Sequence, residues 1–267
     1  MTVSQQTITM EGRRAKYWTG GTGKPLVLLH GGFGDAHQHW HTTFDALLPH
    51  FQIIAPDLPG SGVSDPLPMP SYQAYLNWLQ YLLDLLNIGG PIALMGNSFG
   101  AALSRIYTAE NTSYVTRLVL IDGGQIVDTS GCLRPIVRLP GLSNLAIEVI
   151  RRASYSRSSL KRAIHDERLL TPQFIAKAQA ASHGFVASMK QIALTPAPAL
   201  RTPTCPTLIV WGEFDRVNAP AVGQRIAGEI RGARFVSIKS AAHLPQIEQP
   251  DEFHAKVLPF LTGGPVS

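Results

Sequence analysis

The sequence predicts an α/β fold in which helices cover both faces of a mostly parallel, doubly wound sheet of eight strands. Short runs of Val, Ile and Leu alternate with longer amphipathic segments, as they do when parallel strands are buried on both faces and joined by helices. The alternation stops between residues 125 and 200, where only helical periodicity remains. We therefore predict a core formed by residues 1–124 and 201–267, with an all-helical cap, residues 125–200, inserted between two core strands.

The strands are predicted from the length and pattern of the apolar runs. Alternating residues at 5–21, interrupted by Glu11-Gly12, predict an antiparallel hairpin. The other six strands are continuous apolar runs at 25–30, 51–57, 91–97, 115–122, 206–211 and 233–238. Helices are predicted in the intervening segments, at 37–48, 72–86, 99–111, 219–230 and 251–261 in the core and at 141–152, 157–169, 172–183 and 184–194 in the cap.

Composition excludes several classes of protein. The 267 residues are 45% apolar and 15% charged, which is typical of a soluble globular protein and unlike a disordered chain or a coiled coil. No apolar run approaches the roughly 20 residues that cross a bilayer, and the first residues do not resemble a secretion signal. Cys132 and Cys205 are far apart, so we expect free thiols, a reducing cytoplasmic location and no membrane insertion.

Positive charge is concentrated in the predicted cap. Segment 125–200 carries ten Lys and Arg residues against four acidic residues, whereas the whole chain has a net charge of +5. The basic residues alternate with Leu, Ile and Ala at helical spacing, which is typical of solvated helix faces, with attraction of an anionic substrate as the alternative. Because aromatic residues are not interleaved with the basic ones, we expect no nucleic-acid partner.

One turn joins a predicted strand directly to a predicted helix. The segment Gly96-Asn97-Ser98-Phe99-Gly100 follows the apolar run that ends at Met95. A serine at the apex of so tight a turn has a strained backbone, and side chains two positions away on either side would collide with it. Glycines at both places remove that collision, and the start of the helix directs free N–H groups toward whatever the serine attacks. The pattern indicates a nucleophile elbow with Ser98 at its apex.

Four more motifs complete a resemblance to a known family. They are a glycine-rich loop after a His, an Asp-x-Pro-Gly-x-Gly-x-Ser segment, the end of an acid-bearing strand and a histidine segment, at 30–34, 57–65, 211–215 and 243–250. Together with the turn at Ser98 they span essentially the whole chain. The sequence resembles the α/β-hydrolase superfamily, in the subgroup of serine hydrolases that carries a helical cap.

The resemblance implies a catalytic triad in the chain order Ser98, Asp215, His243. A serine hydroxyl needs a base to take its proton, and the base needs a carboxylate to fix its tautomer and stabilise its positive charge. Each of the three residues follows a predicted strand, so all should emerge at the carboxyl edge of the sheet, where open α/β sheets bind ligands. Two other acids compete with Asp215: Glu213 in the same segment, and Asp122, whose position some relatives use instead.

The nine histidines differ in their position relative to the predicted strands and helices, and this position indicates which one is the base. Among the nine, only His243 lies in a loop after the last predicted strand. His30 ends a buried strand and is expected to be a hydrogen-bonded structural residue. Five others are expected to be solvated in or beside surface helices, and two belong to the cap. The first group is His37, His39, His41, His50 and His254, and the second is His165 and His183.

The oxyanion hole is expected to use two backbone N–H groups, one from Phe99 and one from Gly32 or, alternatively, Phe33. The side chain of Phe33 is expected to line the substrate pocket. Asp57 is expected to order the Pro59-Gly60 turn by hydrogen bonds. The sequence contains no metal-ligand cluster, dinucleotide motif or phosphate loop, so we expect no metal and no cofactor.

The leading hypothesis is a cofactor-free serine hydrolase whose small-molecule acyl substrate is a small to medium carboxylic ester, lactone or thioester. A serine nucleophile implies an acyl-enzyme at Ser98, which is released by water that His243 activates. The resemblance leaves two alternatives: a carbon–carbon hydrolase of ring-fission diketones, whose cap arginine would be sought near Lys177, and a slow-turnover small-molecule receptor. Five apolar cap residues either line the pocket or pack between cap helices: Leu142, Leu145, Ile147, Val149 and Ile150.

Overall fold

The computed structural model describes residues 2–126 and 142–264 and contains the predicted eight-stranded sheet. The strands are β1 (Ser4–Met10), β2 (Arg13–Gly20), β3 (Lys24–Leu29), β4 (Phe51–Pro56), β5 (Ile92–Asn97), β6 (Val115–Ile121), β7 (Thr207–Gly212) and β8 (Arg234–Ile238). The helices are α1 (Ala36–Leu47), α2 (Tyr72–Leu85), α3 (Phe99–Glu110), α4 (Leu142–Ser154), α5 (Arg157–Leu160), α6 (Pro172–Ile192), α7 (Pro220–Glu229), α8 (Pro245–Glu248) and α9 (Pro250–Thr262), with a 3-10 turn at Glu167–Leu169.

The strand order places β5 in the interior of the sheet, which runs β1-β2-β4-β3-β5-β6-β7-β8. Strands β1 and β2 pair antiparallel, as do β2 and β4, and the other neighbours are parallel. The predicted hairpin is confirmed, and its turn uses positive φ angles of 48° at Glu11 and 77° at Gly12. Because the parallel strands share one direction, the residues that follow β5, β7 and β8 reach the same edge of the sheet.

Alternate residues of the central strands face opposite sides of the sheet. In β3, Leu26 and Leu28 pack with α1 and α9, whereas Val27 and Leu29 pack with α2, α3 and α7. All four side chains are fully buried. Burial on both faces explains why β3 is a continuous apolar run and not an alternating one, and it confirms the doubly wound arrangement.

Between β6 and β7, the part of the chain that the structure describes forms helices and turns only. The predicted break between helices at 183 and 184 was wrong, because α6 runs through Gly184 without interruption. A Cβ on Gly184 would lie 1.8 Å from the carbonyl oxygen of Gly60. This glycine therefore allows α6 to touch the backbone of the loop after β4; it does not end a helix.

The predicted helix at 157–169 was also wrong, since only α5 and the 3-10 turn form there. The backbone N–H groups of His165 and Asp166 donate to Oε2 of Glu248 at 2.5 and 3.1 Å. These bonds replace the intrahelical bonds that a continuous helix would need. We call residues 161–166 the cap turn.

Two further predictions concern cysteines and membranes. The prediction for Cys132 falls on residues 127–141, which lie outside the described residues, whereas Cys205 carries a free thiol. No helix in residues 2–126 or 142–264 is long and apolar enough to cross a membrane. The division of the chain into a core and a separate cap domain at residues 125 and 200 stays a prediction.

Candidate active site

Ser98 lies at the tight turn between β5 and α3, where the motif predicts it. It is the N-cap residue of α3, with φ 55° and ψ −114°, a backbone conformation that non-glycine residues rarely adopt. The two motif glycines make this turn possible. A Cβ would lie 2.3 Å from the oxygen of Gly100 if it were added to Gly96, and 2.2 Å from the oxygen of Leu29 if it were added to Gly100.

Two glycines outside the motif also border the nucleophile. A Cβ on Gly31 would lie 2.9 Å from Cβ of Ser98, and one on Gly123 would lie 2.3 Å from the oxygen of Ser98. These contacts join loops that are distant in sequence, so the local pattern around Ser98 gives no sign of them. Ser98 itself stays partly exposed in this tight surrounding, which leaves its side chain accessible.

The structure brings His243 and Asp215 together. Nδ1 of His243 lies 2.8 Å from Oδ2 of Asp215, and both residues are buried. The other carboxylate oxygen, Oδ1, accepts the N–H groups of Val217 at 2.7 Å and Asn218 at 3.0 Å. An ionised carboxylate only accepts, so His243 carries its proton on Nδ1. Its Nε2 is buried and has no hydrogen-bond partner among the described residues, so it is free to take a proton.

The two competing acids make no hydrogen bond to His243. Glu213 is exposed. Asp122 is fully buried, and its Oδ1 accepts the N–H of Gly212 at 2.9 Å. Burial, followed by the neighbouring Asp215 carboxylate, raises the pKa of Asp122 well above its usual range. The folded protein therefore favours the protonated form of Asp122, which lies beside Asp215.

The same cluster contains the candidate metal ligands of the described residues. The ligand atoms of Asp122, Asp215 and His243 lie within 4.8 Å of one another. The imidazole Nδ1 is bonded to Asp215, and three backbone N–H groups donate to the carboxylate oxygens. Because a metal ion needs donors with free lone pairs and these are already used in hydrogen bonds, the set fits a histidine–carboxylate pair better than a metal site.

Asn97 connects the nucleophile turn to the histidine loop. Ser98 and His243 do not hydrogen-bond each other directly in the structure. Instead, Nδ2 of Asn97 donates to the backbone oxygens of His243 at 3.1 Å and Ile121 at 3.3 Å. Catalytic hydrogen bonds are often long in free enzymes and shorten when substrate binds. The sequence did not predict this role, because the turn requires no particular residue at the position before the serine.

The predicted oxyanion residues lie in the two segments that flank the nucleophile. Phe99 is the first residue of α3, where the backbone N–H has no partner within the helix. The Phe185 ring of α6 covers Gly32, where an added Cβ would lie 2.7 Å from that ring. The ring of Phe33, the predicted pocket residue, lies 5.8 Å from the His243 ring, edge to face.

Asp57 holds the start of α1, directly after residues 30–34, which carry the predicted oxyanion donor Gly32 and which we call the oxyanion loop. The prediction that Asp57 orders the Pro59-Gly60 turn was wrong. Its Oδ1 accepts the N–H of Ala36 at 3.0 Å, and its Oδ2 lies 2.8 Å from Nζ of Lys16. Lys16 also lies 3.6 Å from Asp35, which caps α1. Because β3 and β4 are neighbours, the end of β4 lies beside the start of α1. Burial alone would lower the pKa of Lys16, but the two carboxylates raise it, so the ammonium stays charged.

Two histidines near this loop are structural. His30 bonds through Nδ1 to the oxygen of Gly31 at 2.7 Å and accepts the N–H of Leu58 through Nε2 at 2.9 Å, which confirms its predicted role. His39 was predicted to be solvated, and that was wrong. It lies on the buried face of α1, one turn from Ala36, and is fully buried. Burial lowers the pKa of His39 to about 3, so it is neutral.

The predicted roles of the apolar α4 residues were wrong for the three that are most exposed. Leu145, Val149 and Ile150 are 66%, 59% and 53% exposed, so they neither line a pocket nor pack between helices. Helix α4 instead turns Arg151 toward α6, where its Nη1 donates to Oγ of Ser182 at 2.8 Å. Ile147 is partly buried. The side chain of Leu142 lies outside the described residues.

Two aromatic residues of the cap contact the site instead. The hydroxyl of Tyr155, just after α4, donates to the oxygen of Gly32 at 2.9 Å. The ring of Phe185 lies 5.7 Å from that of Phe99, edge to face. Neither residue belongs to a motif, so the sequence contains no signal that would have identified them.

The cap turn holds the loop that carries His243. The N–H of His243 donates to the oxygen of Ala163 at 2.9 Å. Glu248 bridges the same two segments, because its Oε1 accepts the N–H of Ala242 at 2.8 Å while its Oε2 accepts the two cap-turn N–H groups. The backbone around the predicted base is therefore fixed from the cap side as well as from the sheet.

Comparisons with known proteins agree with this fold. A sequence profile of the Alpha/beta hydrolase family matches residues 26–256. A 2-hydroxy-6-oxo-6-(2'-aminophenyl)hexa-2,4-dienoic acid hydrolase of Metapseudomonas resinovorans is 24% identical over 264 residues, which cover 97% of this chain and 91% of that protein.

Two solved structures are similar over nearly their whole length. A thermophilic esterase from Thermogutta terrifontis has a TM-score of 0.76 and 25% identity, covering 98% of this chain and 99% of that one. A meta-cleavage product hydrolase from Pseudomonas fluorescens IP01 has a TM-score of 0.75 and 25% identity, covering 97% of each chain. With the profile match over most of its length, this chain belongs to the alpha/beta hydrolase family and is a hydrolase of that fold.

Proposed function

We propose that this protein is a cofactor-free serine hydrolase that cleaves a small to medium carboxylic ester, lactone or thioester through an acyl-enzyme at Ser98. One observation carries the proposal: the hydrogen-bonded His243–Asp215 pair lies at the same sheet edge as a strained, partly exposed serine. A serine nucleophile needs a base and an orienting carboxylate, and these are the groups present.

The proposed reaction has two halves. Nε2 of His243 takes the proton of Ser98 as Oγ attacks the carbonyl carbon, and the carbonyl electron pair moves onto oxygen. The N–H groups of Phe99 and Gly32 bind that oxyanion, while Asp215 stabilises the imidazolium. The C–O bond then breaks, and His243 gives its proton to the leaving alcohol. Water repeats the sequence on the acyl-enzyme and releases the acid.

Aromatic side chains support an apolar substrate group of modest size. Phe33 lies against the base, and Phe185 contacts both Gly32 and Phe99. These rings enclose the segments that would bind the reacting carbonyl. Pockets lined by apolar and aromatic groups, with few polar atoms, favour ligands whose main contribution is buried apolar area.

The test is hydrolysis of p-nitrophenyl acyl esters from acetate to decanoate. We expect hydrolysis by the wild type, its loss in Ser98→Ala, and no change in Ser113→Ala, which alters an exposed serine before β6. Intact mass spectrometry of the wild type, quenched in acid during turnover, should detect the acylated serine, and the adduct should be missing from Ser98→Ala. If the wild type hydrolyses no ester across the series, the ester hydrolase proposal fails.

A second candidate is a carbon–carbon hydrolase of ring-fission dienoates. It is favoured by the names of two relatives, the hexa-2,4-dienoic acid hydrolase and the meta-cleavage product hydrolase. Lys177 weakens it, because an exposed lysine of α6 stands near the place where the cap arginine of such a hydrolase is expected. Turnover of a ring-fission dienoate with no ester hydrolysis, reduced in Lys177→Ala, would favour this candidate.

A further inference from the structure

We infer that Tyr155, a cap residue outside every motif, positions the oxyanion hole by holding the peptide group between Gly32 and Phe33. The inference rests on the proposed function and assigns a positioning role, since Tyr155 acts through the loop. It means that the cap contributes to the chemical step as well as covering the site.

Tyr155 is held on two sides. Its side chain is 4% exposed, and its hydroxyl donates to the oxygen of Gly32 at 2.9 Å. Its ring packs 5.6 Å from the ring of Phe33. Its own backbone oxygen accepts a hydrogen bond from Nε2 of Gln179, in α6, at 3.1 Å. The hydroxyl therefore comes from a fixed cap segment and reaches the loop with little freedom.

The loop needs such an external restraint because its key residue is a glycine. Glycine has no Cβ to limit its backbone angles. At Gly32 a Cβ is excluded, since it would lie 2.7 Å from the Phe185 ring. A hydrogen bond to the Gly32 oxygen supplies the restraint that a side chain at this position cannot supply.

The bond fixes the direction of the donors in this loop. In a trans peptide the N–H points opposite to the C=O. When Tyr155 holds the oxygen of Gly32, the N–H of Phe33 must point away from Tyr155. The N–H of Gly32 belongs to the preceding peptide, whose oxygen, that of Gly31, bonds to Nδ1 of His30 at 2.7 Å. The Tyr155 hydroxyl therefore fixes the Phe33 donor directly and restrains Gly32 on its carboxyl side, while His30 holds the peptide of the Gly32 donor.

Loss of this hydroxyl should affect the transition state more than substrate binding. The negative oxygen exists only after Ser98 has attacked, so a displaced donor raises the barrier and leaves ground-state binding almost unchanged. A direct oxyanion donor contributes about 10²–10³ in kcat. For a residue that acts through the donor we expect about a tenfold loss, below that range.

The experiment compares Tyr155→Phe with Tyr107→Phe. The control also loses a buried tyrosine hydrogen bond, 2.6 Å to Oε1 of Gln80, but on α3 away from the loop. Measurements are kcat and KM on a p-nitrophenyl ester, and the affinity for an aryl trifluoromethyl ketone. Ser98 adds to this ketone, its proton passes to His243, and the ketone oxygen becomes an oxyanion. We expect Tyr155→Phe to lower kcat and ketone affinity by the same factor with KM unchanged, and the control to change none of these.

Equal kcat and equal ketone affinity in Tyr155→Phe and the wild type would overturn the inference. A raised KM with unchanged kcat would overturn it too, because Tyr155 would then only shape the pocket. The melting temperature shows whether Tyr155→Phe is folded. If it is not, 4-fluorophenylalanine introduced at position 155 keeps nearly the volume of tyrosine without a donor. A wild type that binds the ketone but hydrolyses no ester counts against the proposed function, and the ketone affinity still decides the role of Tyr155.

Discussion

The sheet edge and the cap contribute residues to the same site in different ways. At the sheet edge, Ser98, Asp215 and His243 each follow a strand, so the backbone of the core determines where they lie. In the cap, single side chains and one turn reach across to loops of the core. A strand end that must turn tightly leaves a glycine pattern in the sequence. A contact between a helix and a distant loop leaves none.

Three of the contacts between the two regions show what each contributes. Gly184 touches Gly60, Tyr155 bonds to Gly32, and the cap turn bonds to the histidine loop. None of these cap residues belongs to the proposed catalytic triad. We therefore expect substitutions at the sheet edge to abolish chemistry, whereas substitutions at the contacts should reduce the rate or the stability by smaller factors.

The largest difference in kcat/KM is expected between variants of two neighbouring acids, Asp215 and Asp122. Asp215→Asn should lower kcat/KM by about 10⁴-fold, because an amide cannot hold the tautomer or stabilise the imidazolium of His243. Asp122→Asn should leave kcat/KM nearly unchanged, since the fold favours the protonated form of Asp122 and an amide oxygen can still accept the N–H of Gly212. Hydrolysis of a p-nitrophenyl ester at pH 8 measures both. An equal loss in the two variants would show that Asp122 shares the role of the acid.

Asp122 should also make stability depend on pH. Its pKa is raised in the folded state, so the unfolded chain loses its proton first, at roughly 3.9, and folding becomes less favourable as pH rises from there toward the folded pKa. Asp122→Asn removes this pH-dependent contribution to the free energy of unfolding. Melting temperatures should show no pH-dependent gain for the variant below about pH 4 and a gain that grows as the pH rises above it. A gain that does not change with pH would contradict a raised pKa of Asp122 in the folded protein.

A smaller effect on rate is expected where the cap turn meets the histidine loop. In Glu248→Gln one side of the carboxylate becomes an NH₂ group that faces backbone donors, and each unsatisfied buried donor costs about 1–3 kcal/mol. We expect a lower melting temperature and kcat/KM reduced by about tenfold through displacement of His243. The control is Glu252→Gln, whose carboxylate accepts one backbone N–H, from Lys239, at an exposed site. Identical behaviour of the two variants would rule out coupling through Glu248.

The smallest effects are changes in the free energy of unfolding, expected for substitutions of two helical glycines. Gly184→Ala should destabilise the protein by about 1–3 kcal/mol, because its Cβ overlaps the oxygen of Gly60. Gly228→Ala, in α7, meets no atom within 4 Å and should stabilise by about 0.5–1 kcal/mol. Urea unfolding measures both free energies. A neutral Gly184→Ala would mean that α6 does not depend on contact with the loop after β4.

The core could be predicted from the sequence because its demands are local. Strands buried on both faces need uninterrupted apolar runs, and the turn at Ser98 needs glycines at 96 and 100. The failed predictions concern contacts between distant segments. Gly184 resembles a helix break until Gly60 is seen beside it, and Asp57 follows the usual turn pattern although its partners are Ala36 and Lys16.

Lys16 sets a limit on how far an active chain can be shortened. It belongs to β2, in a hairpin that supplies no residue to the predicted triad, yet its ammonium is the partner of the fully buried Asp57. Trimming the chain past this strand would leave that carboxylate without its cation, at a cost of about 3–5 kcal/mol, beside the oxyanion loop. For protein engineering, we therefore expect an active chain to need the hairpin, and a fusion partner belongs before β1.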